Sequence, residues 1–532
     1  MRELPYDPAV ASDSGGGTLD RGLVMREGDG ASGHARVGSA PRWPRRGARL
    51  AGALRVRRSL VPLVAAAVAF AAVGCGRPEG EVATAPSGTE GSAAPTSAPA
   101  GAGEGEFGDL GRVCGPAPEG TVLEATDVGV TDDSIQIGTI SDPGFSGRPG
   151  LNQEVFDSAE GFTKWCNAAG GIYGRNIDLR KRDAKLTEYQ PRMIEACEQG
   201  DFMLVGGGGV FDDQGQEERL ACGLPNLAGF VVNPPAVESD LTIAPLLNEP
   251  HTIGVGDLRW LAEKFPEATQ KIGILTAGVA ATMNAADRTK ASMAALGWKV
   301  VYDEKYNAAG EASWRGFAEG LKSSGARGVM WVADPGNLAA LLKAMAEIEY
   351  HPDFVRGVTN LYDNVLLSEA GAAADHVFIS GANYPFLDPE LAKQNPATQQ
   401  YLDIMAEYDP GGKIADLGVG AFSAWLLFAQ GASECGADLT RDCVWEKVGA
   451  VAEWTGGGLH ARQNLAARRA SECFIEIEAV EGRFVLPDIG ANEGVYRCEP
   501  DNVIDLDPGP DQGVKCANPA FAEDPKPSRC AP

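Results

Sequence analysis

Gly129-Val-Thr-Asp-Asp-Ser-Ile-Gln-Ile-Gly-Thr-Ile-Ser-Asp142 and, a little further on, Phe162-Thr-Lys-Trp-Cys-Asn-Ala-Ala-Gly-Gly-Ile-Tyr-Gly-Arg175 decide how this chain folds. The first run carries a short apolar stretch that reads as a strand over residues 134–140, and an amphipathic stretch of helical period follows over 152–167. That helix ends where Gly170 and Gly171 allow a tight reversal with positive φ. Ile172 then packs under the sheet before a second strand at 177–181.

The theme repeats outward from this unit. Helix 189–198, strand 202–205 and helix 212–221 complete a first series. A second begins near His251, with strand 271–276, helix 281–296 closed by Gly297, and strand 299–302. Helix 313–323, strand 328–333, helix 338–349 and strand 354–358 continue it. Later come strand 377–380, long helices at 389–408 and 415–434, and an antiparallel-looking pair at 473–480 and 483–486. Alternating strand and helix is the pattern of a parallel, doubly wound sheet. Two such series in tandem predict two α/β lobes joined by several chain crossings.

Residues 129–142 and 162–175 together resemble the opening strand, first helix and turn of type I periplasmic binding proteins of the branched-chain amino-acid receptor group. The resemblance covers about 128–486, most of the chain. It implies two Rossmann-like lobes with parallel sheets joined by a hinge: residues 128–254 plus about 377–455 form one lobe, 255–376 plus about 456–498 the other. It also implies a ligand held in the cleft at the C-terminal ends of strands, where open α/β sheets bind ligands for independent reasons. Closure would present the receptor to the permease subunits of an ABC importer. The expected protein is a monomer that needs no cofactor or metal.

Three loops are expected to face the cleft from the first lobe. The loop after the first strand runs from Ser141 through Phe145 and Ser146 to Asn152. The third strand leads into Gly206-Gly207-Gly208-Gly209-Val210, whose bare N–H groups at a helix start would suit a ligand carboxylate, unless the glycines only relieve crowding and Asp212 caps the helix. In the segment Gly229-Phe230-Val231-Val232-Asn233, amino-acid receptors of the family hold the ligand's carboxylate and ammonium with small polar residues. Here it is largely apolar, which weighs against an amino-acid ligand. From the second lobe, Asp257, Asp334, Asn337, Asn360 and Tyr362 lie at strand ends or helix starts; Asp257 and Asp334 could take an ammonium or cap a helix. Trp298 and Trp331 read as core.

The ends of the chain carry their own message. Arg55, Arg57 and Arg58 precede an apolar run over 60–73, too short at about 14 residues to span a bilayer. The run ends in Ala72-Val73-Gly74-Cys75, which resembles the bacterial lipobox and predicts a lipid-anchored, extracytoplasmic protein beginning at Cys75. Residues 1–55 fit no signal pattern and read as a non-native or disordered extension. Residues 76–127 read as a flexible Gly/Ser/Pro/Ala linker, and 499–532 as a Cys-containing tail whose 505–511 stretch is acidic and solvated. Of the eleven cysteines, none forms a C-x-x-C pair, which argues against a zinc site of the usual spacing. Without Cys75 ten remain, which suggests disulfides. The expected pairs are Cys435–Cys443, Cys473–Cys498 and Cys197–Cys222; Cys114, Cys166, Cys516 and Cys530 cannot be paired from sequence, and a free buried thiol is an alternative for Cys166.

A net charge of -27 repels phosphate backbones and weighs against nucleic acid as a partner. No H-E-x-x-H, G-x-S-x-G or nucleotide fingerprint is present. The leading expectation is a non-enzymatic solute receptor of an importer, carrying an amino acid or similar organic solute. A ligand-sensing module for a signalling partner is the alternative, and a surface hydrolase using Asp257 and Asp334 a more distant one.

Overall fold

The computed structural model describes residues 104–246, 249–507 and 509–516. The extension 1–55, the signal, Cys75, the start of the linker and Cys530 lie outside the described residues.

Five strands form the first sheet: β1 (Ser134–Ser141), β2 (Asn176–Asp183), β3 (Met203–Val205), β4 (Asn226–Leu227) and β5 (Thr242–Ile243). Their order is β2-β1-β3-β4-β5 and every pairing is parallel. The helix Gln153–Ala168 begins after Asn152 and ends at the predicted reversal, where Gly170 and Gly171 have φ of 106° and 77°. Ile172 is fully buried. Arg175 closes the motif, its guanidinium donating to the carbonyls of Thr131, Glu124, Gly436 and Ala437. One side chain thus ties the turn to three distant segments.

The chain then crosses over. It passes β6 (Thr252–Gly254) and builds a second sheet from β7 (Ile272–Ala277), β8 (Val300–Tyr306), β9 (Gly328–Val332), β10 (Phe354–Val358), β11 (Val377–Gly381), β12 (Cys473–Val480), β13 (Arg483–Val485) and β14 (Arg497–Cys498). The order is β13-β12-β11-β10-β9-β7-β8, with β14 paired to β12. Strands β7 to β11 are mutually parallel, while β12 and β13 run antiparallel. A two-stranded ribbon joins β6 to β15 (Val503–Asp505).

Four boundaries differ from the sequence reading. The linker does not run to 127: Phe107 is fully buried against Trp165 and Phe422, and Cys114 is bonded to Cys166, so Cys166 is not a free thiol. A few large apolar side chains suffice to recruit a polar segment into the core. Strand β11 belongs to the second sheet, pairing with β10 from Val355 to Val358, so the return to the first lobe follows Gly381 rather than 377. Strand β8 extends four residues beyond Tyr302; it is the sheet's edge strand and leaves Asp303, Glu304 and Lys305 exposed. The tail packs as far as 516: Val503–Asp505 joins the β6 ribbon, Val514 N–H donates to Ser239 Oγ and Cys516 N–H to Asp240 Oδ2.

After the second crossing the helices Pro396–Tyr408 and Asp416–Cys435 return to the first lobe and pack on Gln153–Ala168. The predicted helix 389–408 is split, because Asn395 caps a fresh start at Pro396 through the N–H groups of Ala397 and Thr398. Asp416–Cys435 is apolar nearly all round and is the centre of the lobe, with Trp425 stacked on Phe162 at 5.6 Å. Gly206, at φ 68°, lets the end of β3 approach it; a Cβ there would lie 2.5 Å from Trp425 Nε1.

The three expected disulfides, Cys197–Cys222, Cys435–Cys443 and Cys473–Cys498, are all formed. Trp298 and Trp331 are core, as expected. No helix among the described residues is long and apolar enough to cross a membrane.

Candidate ligand-binding cleft

The crossings are stitched to each other. Tyr384 N–H donates to Leu459 O and Ala461 N–H to Ala382 O, both at 2.8 Å. Ala470 N–H donates to Thr252 Oγ1. Beneath them lies a buried knot in which Trp454 Nε1 donates to Ser423 Oγ, and Ser423 and His460 Nε2 share a hydrogen bond, each at 2.9 Å. His460 Nδ1 meets the carbonyl of Ala461 at 2.8 Å. A carbonyl accepts only, so Nδ1 carries the proton and Nε2 accepts from Ser423. Burial pushes this imidazole down to about 4. A serine beside a histidine suggests a nucleophile, but Ser423 and His460 are sealed from solvent. They anchor the hinge to the first-lobe helix.

On the first lobe two acids tie together the loops expected to face the cleft. Asp142, at the end of β1, accepts from Leu186 N–H and Val210 N–H, both at 2.9 Å; burial raises it in spite of those bonds. Asp212 accepts from Val232 N–H at 2.7 Å, Asn233 N–H at 3.1 Å and Asn233 Nδ2 at 2.6 Å. Burial pushes it up to about 7. The helix expected to start at Asp212 begins instead at Gln216. Asp212 therefore clamps one cleft loop to the next and caps no helix, because two backbone N–H groups of the 229–233 loop reach it first.

That rearrangement also alters the glycine run. Gly208 N–H donates to Ile140 O. A Cβ on Gly208 would sit 2.5 Å from the Phe230 ring, and one on Gly209 2.7 Å from the Tyr189 ring. These glycines seat two aromatic rings under the loop, the crowding explanation, and no helix N-terminus stands behind them. Val210, Phe230 and Val232 keep partly exposed apolar surface along the edge, as does Phe145, while Ser146 is exposed. Asn152, in left-handed conformation, gives its carbonyl to Ser141 Oγ at 3.1 Å.

The second lobe presents the C-terminal ends of β7 to β10. Asp334 caps the helix Pro335–Glu347 by accepting from Asn337 N–H at 3.0 Å and Asn337 Nδ2 at 2.8 Å. Asn360 Nδ2 donates to Ala333 O at 2.8 Å, and its buried Oδ1 has no partner. Asp257 does not reach this edge; it is buried in an ion pair with Arg356. Nor does Tyr362, whose phenol accepts from Leu387 N–H at 3.1 Å between Phe386 and Phe484. Asp257 and Asp334 are each committed to a different partner and form no carboxylate pair.

The lobes touch across this gap at polar points. Arg148, on the loop after β1, lies 3.8 Å from Asp334. Asn284 Nδ2 donates to Asn233 Oδ1 at 3.0 Å, and Lys413 lies 4.0 Å from Asp363. Sequence reasoning missed Arg148 and Asn284. Arg148 stands inside the loop already expected to face the cleft, and its charge was the available clue.

A family model described as periplasmic binding protein matches residues 134–478. The chain belongs to that family. Solved structures of type I receptors of this family share the fold. A leucine-binding protein from Thermotoga maritima has a TM-score of 0.56 at 11% identity, covering 69% of this chain and 99% of its own. A fatty acid ABC transporter substrate-binding protein from Thermomonospora curvata gives 0.56 at 17%, covering 72% and 99%. A solute-binding protein from R. palustris in complex with 4-hydroxybenzoate gives 0.54 at 12%, covering 69% and 98%. No curated protein matches the chain. The family is one of ligand-binding receptors of ABC-transporter type.

Proposed function

We propose that this chain is an extracytoplasmic receptor that captures a small organic solute, an amino acid or similar, and delivers it to the permease of an ABC importer. Anchorage through a lipid on Cys75 and action as a monomer that makes and breaks no bond belong to the same reading. What carries it is the meeting of two α/β lobes at the C-terminal edges of their sheets, over a hinge of stitched crossings. Such an arrangement converts ligand contacts made with both lobes into a closed shape. Scattering and thermal unfolding of the full chain, with and without a metabolite extract, test it. A smaller radius of gyration and a raised Tm are expected; unchanged values with every fraction refute it. Intact mass of membrane-extracted protein tests the anchor, and an unacylated N-terminus upstream of Cys75 refutes it.

A further inference from the structure

We infer that the C-terminal tail is a strap that limits how far the two lobes open. It is a fourth connection between the lobes among the described residues, built past residue 478, where the match to the family ends. It is docked once on each lobe.

The first dock is on the second lobe. Strand β14 sets Cys498 opposite Cys473 of β12, and the two are disulfide-bonded. Asn502 is buried; its Nδ2 donates to Glu472 O at 2.9 Å and Arg497 O at 3.2 Å, and its carbonyl accepts from Val255 N–H at 2.7 Å. Strand β15 then pairs with β6, and Ile504 packs against the apolar cluster that contains Val255, Leu258 and Phe474. Leu506 N–H closes the ribbon on His251 O at 2.8 Å.

The second dock is on the first lobe, between the helix Pro234–Val237 and β5. Gln512 N–H donates to the Glu238 carboxylate. Val514 N–H donates to Ser239 Oγ at 2.9 Å, and Val514 O accepts from Asp240 N–H at 3.0 Å. Cys516, itself disulfide-bonded, is buried against Leu220 and Leu241. The two backbones lie so close that a Cβ on Gly513 would sit 2.2 Å from Glu238 O. The tail thus runs beside the first crossing in the opposite direction and over a shorter path. Eight residue steps separate Leu506 from Val514, against eleven between their partners His251 and Asp240. At about 3.5 Å per residue the tail is fully extended near roughly 28 Å, where the first crossing keeps about 10 Å of slack. With the lobes in contact through Asn284 and Asn233 both docks are made. Opening beyond the strap's reach must release one of them, so the docks favour the closed population over the wide-open one.

Lobe separation in the full chain, without solute, tests this. Spin labels carried on ketone-bearing residues at Glu198 of the first lobe and Ser323 of the second, both exposed, spare the disulfides, and double electron–electron resonance reads the distance between them. One variant carries six Gly/Ser residues inserted after Gly509, which lengthens the strap and keeps both docks. A second, Gly513→Val, drives the tail off Glu238. Both should shift the distribution to longer distances, the insertion by about 5 Å or more, a fraction of the roughly 20 Å of chain it adds. The same insertion after Gly482, in the open turn between β12 and β13, should leave the wild-type distribution. A strap insertion without effect overturns the proposal, whether or not Gly513→Val folds, and so does a Gly482 insertion that widens the distribution as much. Because the measurement uses no solute, its failure leaves the receptor reading standing.

Discussion

Acid should loosen the hinge through one residue, His460. Its imidazole is held neutral at about 4, against about 6.5 when unfolded. A base with a depressed folded pKa binds fewer protons in the native state between these values, so its stabilising contribution is complete above pH 6.5 and is lost as pH falls from 6.5 towards 4. The gap is about 2.5 pH units, or roughly 3 kcal/mol at 1.36 kcal/mol per unit. The physical source is the knot itself: protonating Nε2 removes the acceptor of Ser423 and places a charge beside Trp454 with no carboxylate among its hydrogen-bond partners. Urea unfolding at pH 7.5 and pH 4, followed by tryptophan fluorescence, would be run on the wild type and His460→Gln. Other groups, Asp212 among them, titrate in both proteins and cancel. The stability difference between the two proteins should shift by roughly 3 kcal/mol in favour of the variant on acidification. A difference that stays flat across this range refutes the reasoning.

Further outcomes follow from single contacts. Replacing Cys114 and Cys166 together by Ala opens a 52-residue separation and should cost roughly 4 kcal/mol on the chain-entropy relation, read from denaturant midpoints; an unchanged midpoint would show that the 104–127 segment is held by packing alone. Gly209→Ala drives a methyl towards the Tyr189 ring and should destabilise by about 1–3 kcal/mol while weakening solute binding; wild-type values in both would remove the seat proposed for that ring. Glu476 is buried with neither carboxylate oxygen partnered, and burial raises its pKa well above the ordinary range. Stability is therefore lost as pH rises above the unfolded value, and Glu476→Gln should stabilise at pH 8 and lose that advantage near pH 4. A gain in Tm that does not depend on pH would mean that the carboxyl does not titrate.

The family was legible because its opening strand, helix and glycine reversal are local: period, positive φ and one apolar plug are properties of contiguous residues. Cys435 and Cys443, and Cys473 and Cys498, could be paired for the same reason, since each pair lies across a short excursion. Cys114 with Cys166 could not, because the core that draws in Phe107 is assembled from helices hundreds of residues later.

The candidate site divides along the same line. Sequence alone determined which loops follow strands, and so which of them, with Asp334 and Asn360, are candidates to face a cleft. It could not determine what each side chain would spend its hydrogen bonds on. Asp257 found Arg356, Tyr362 found Leu387, and Asp212 found the next loop instead of a helix. Those partners come from strands and loops distant in the chain, and a buried polar group takes whichever donor the packed fold brings within reach. Arg148 and Asp334 lie 3.8 Å apart only because two lobes, separate in sequence, meet.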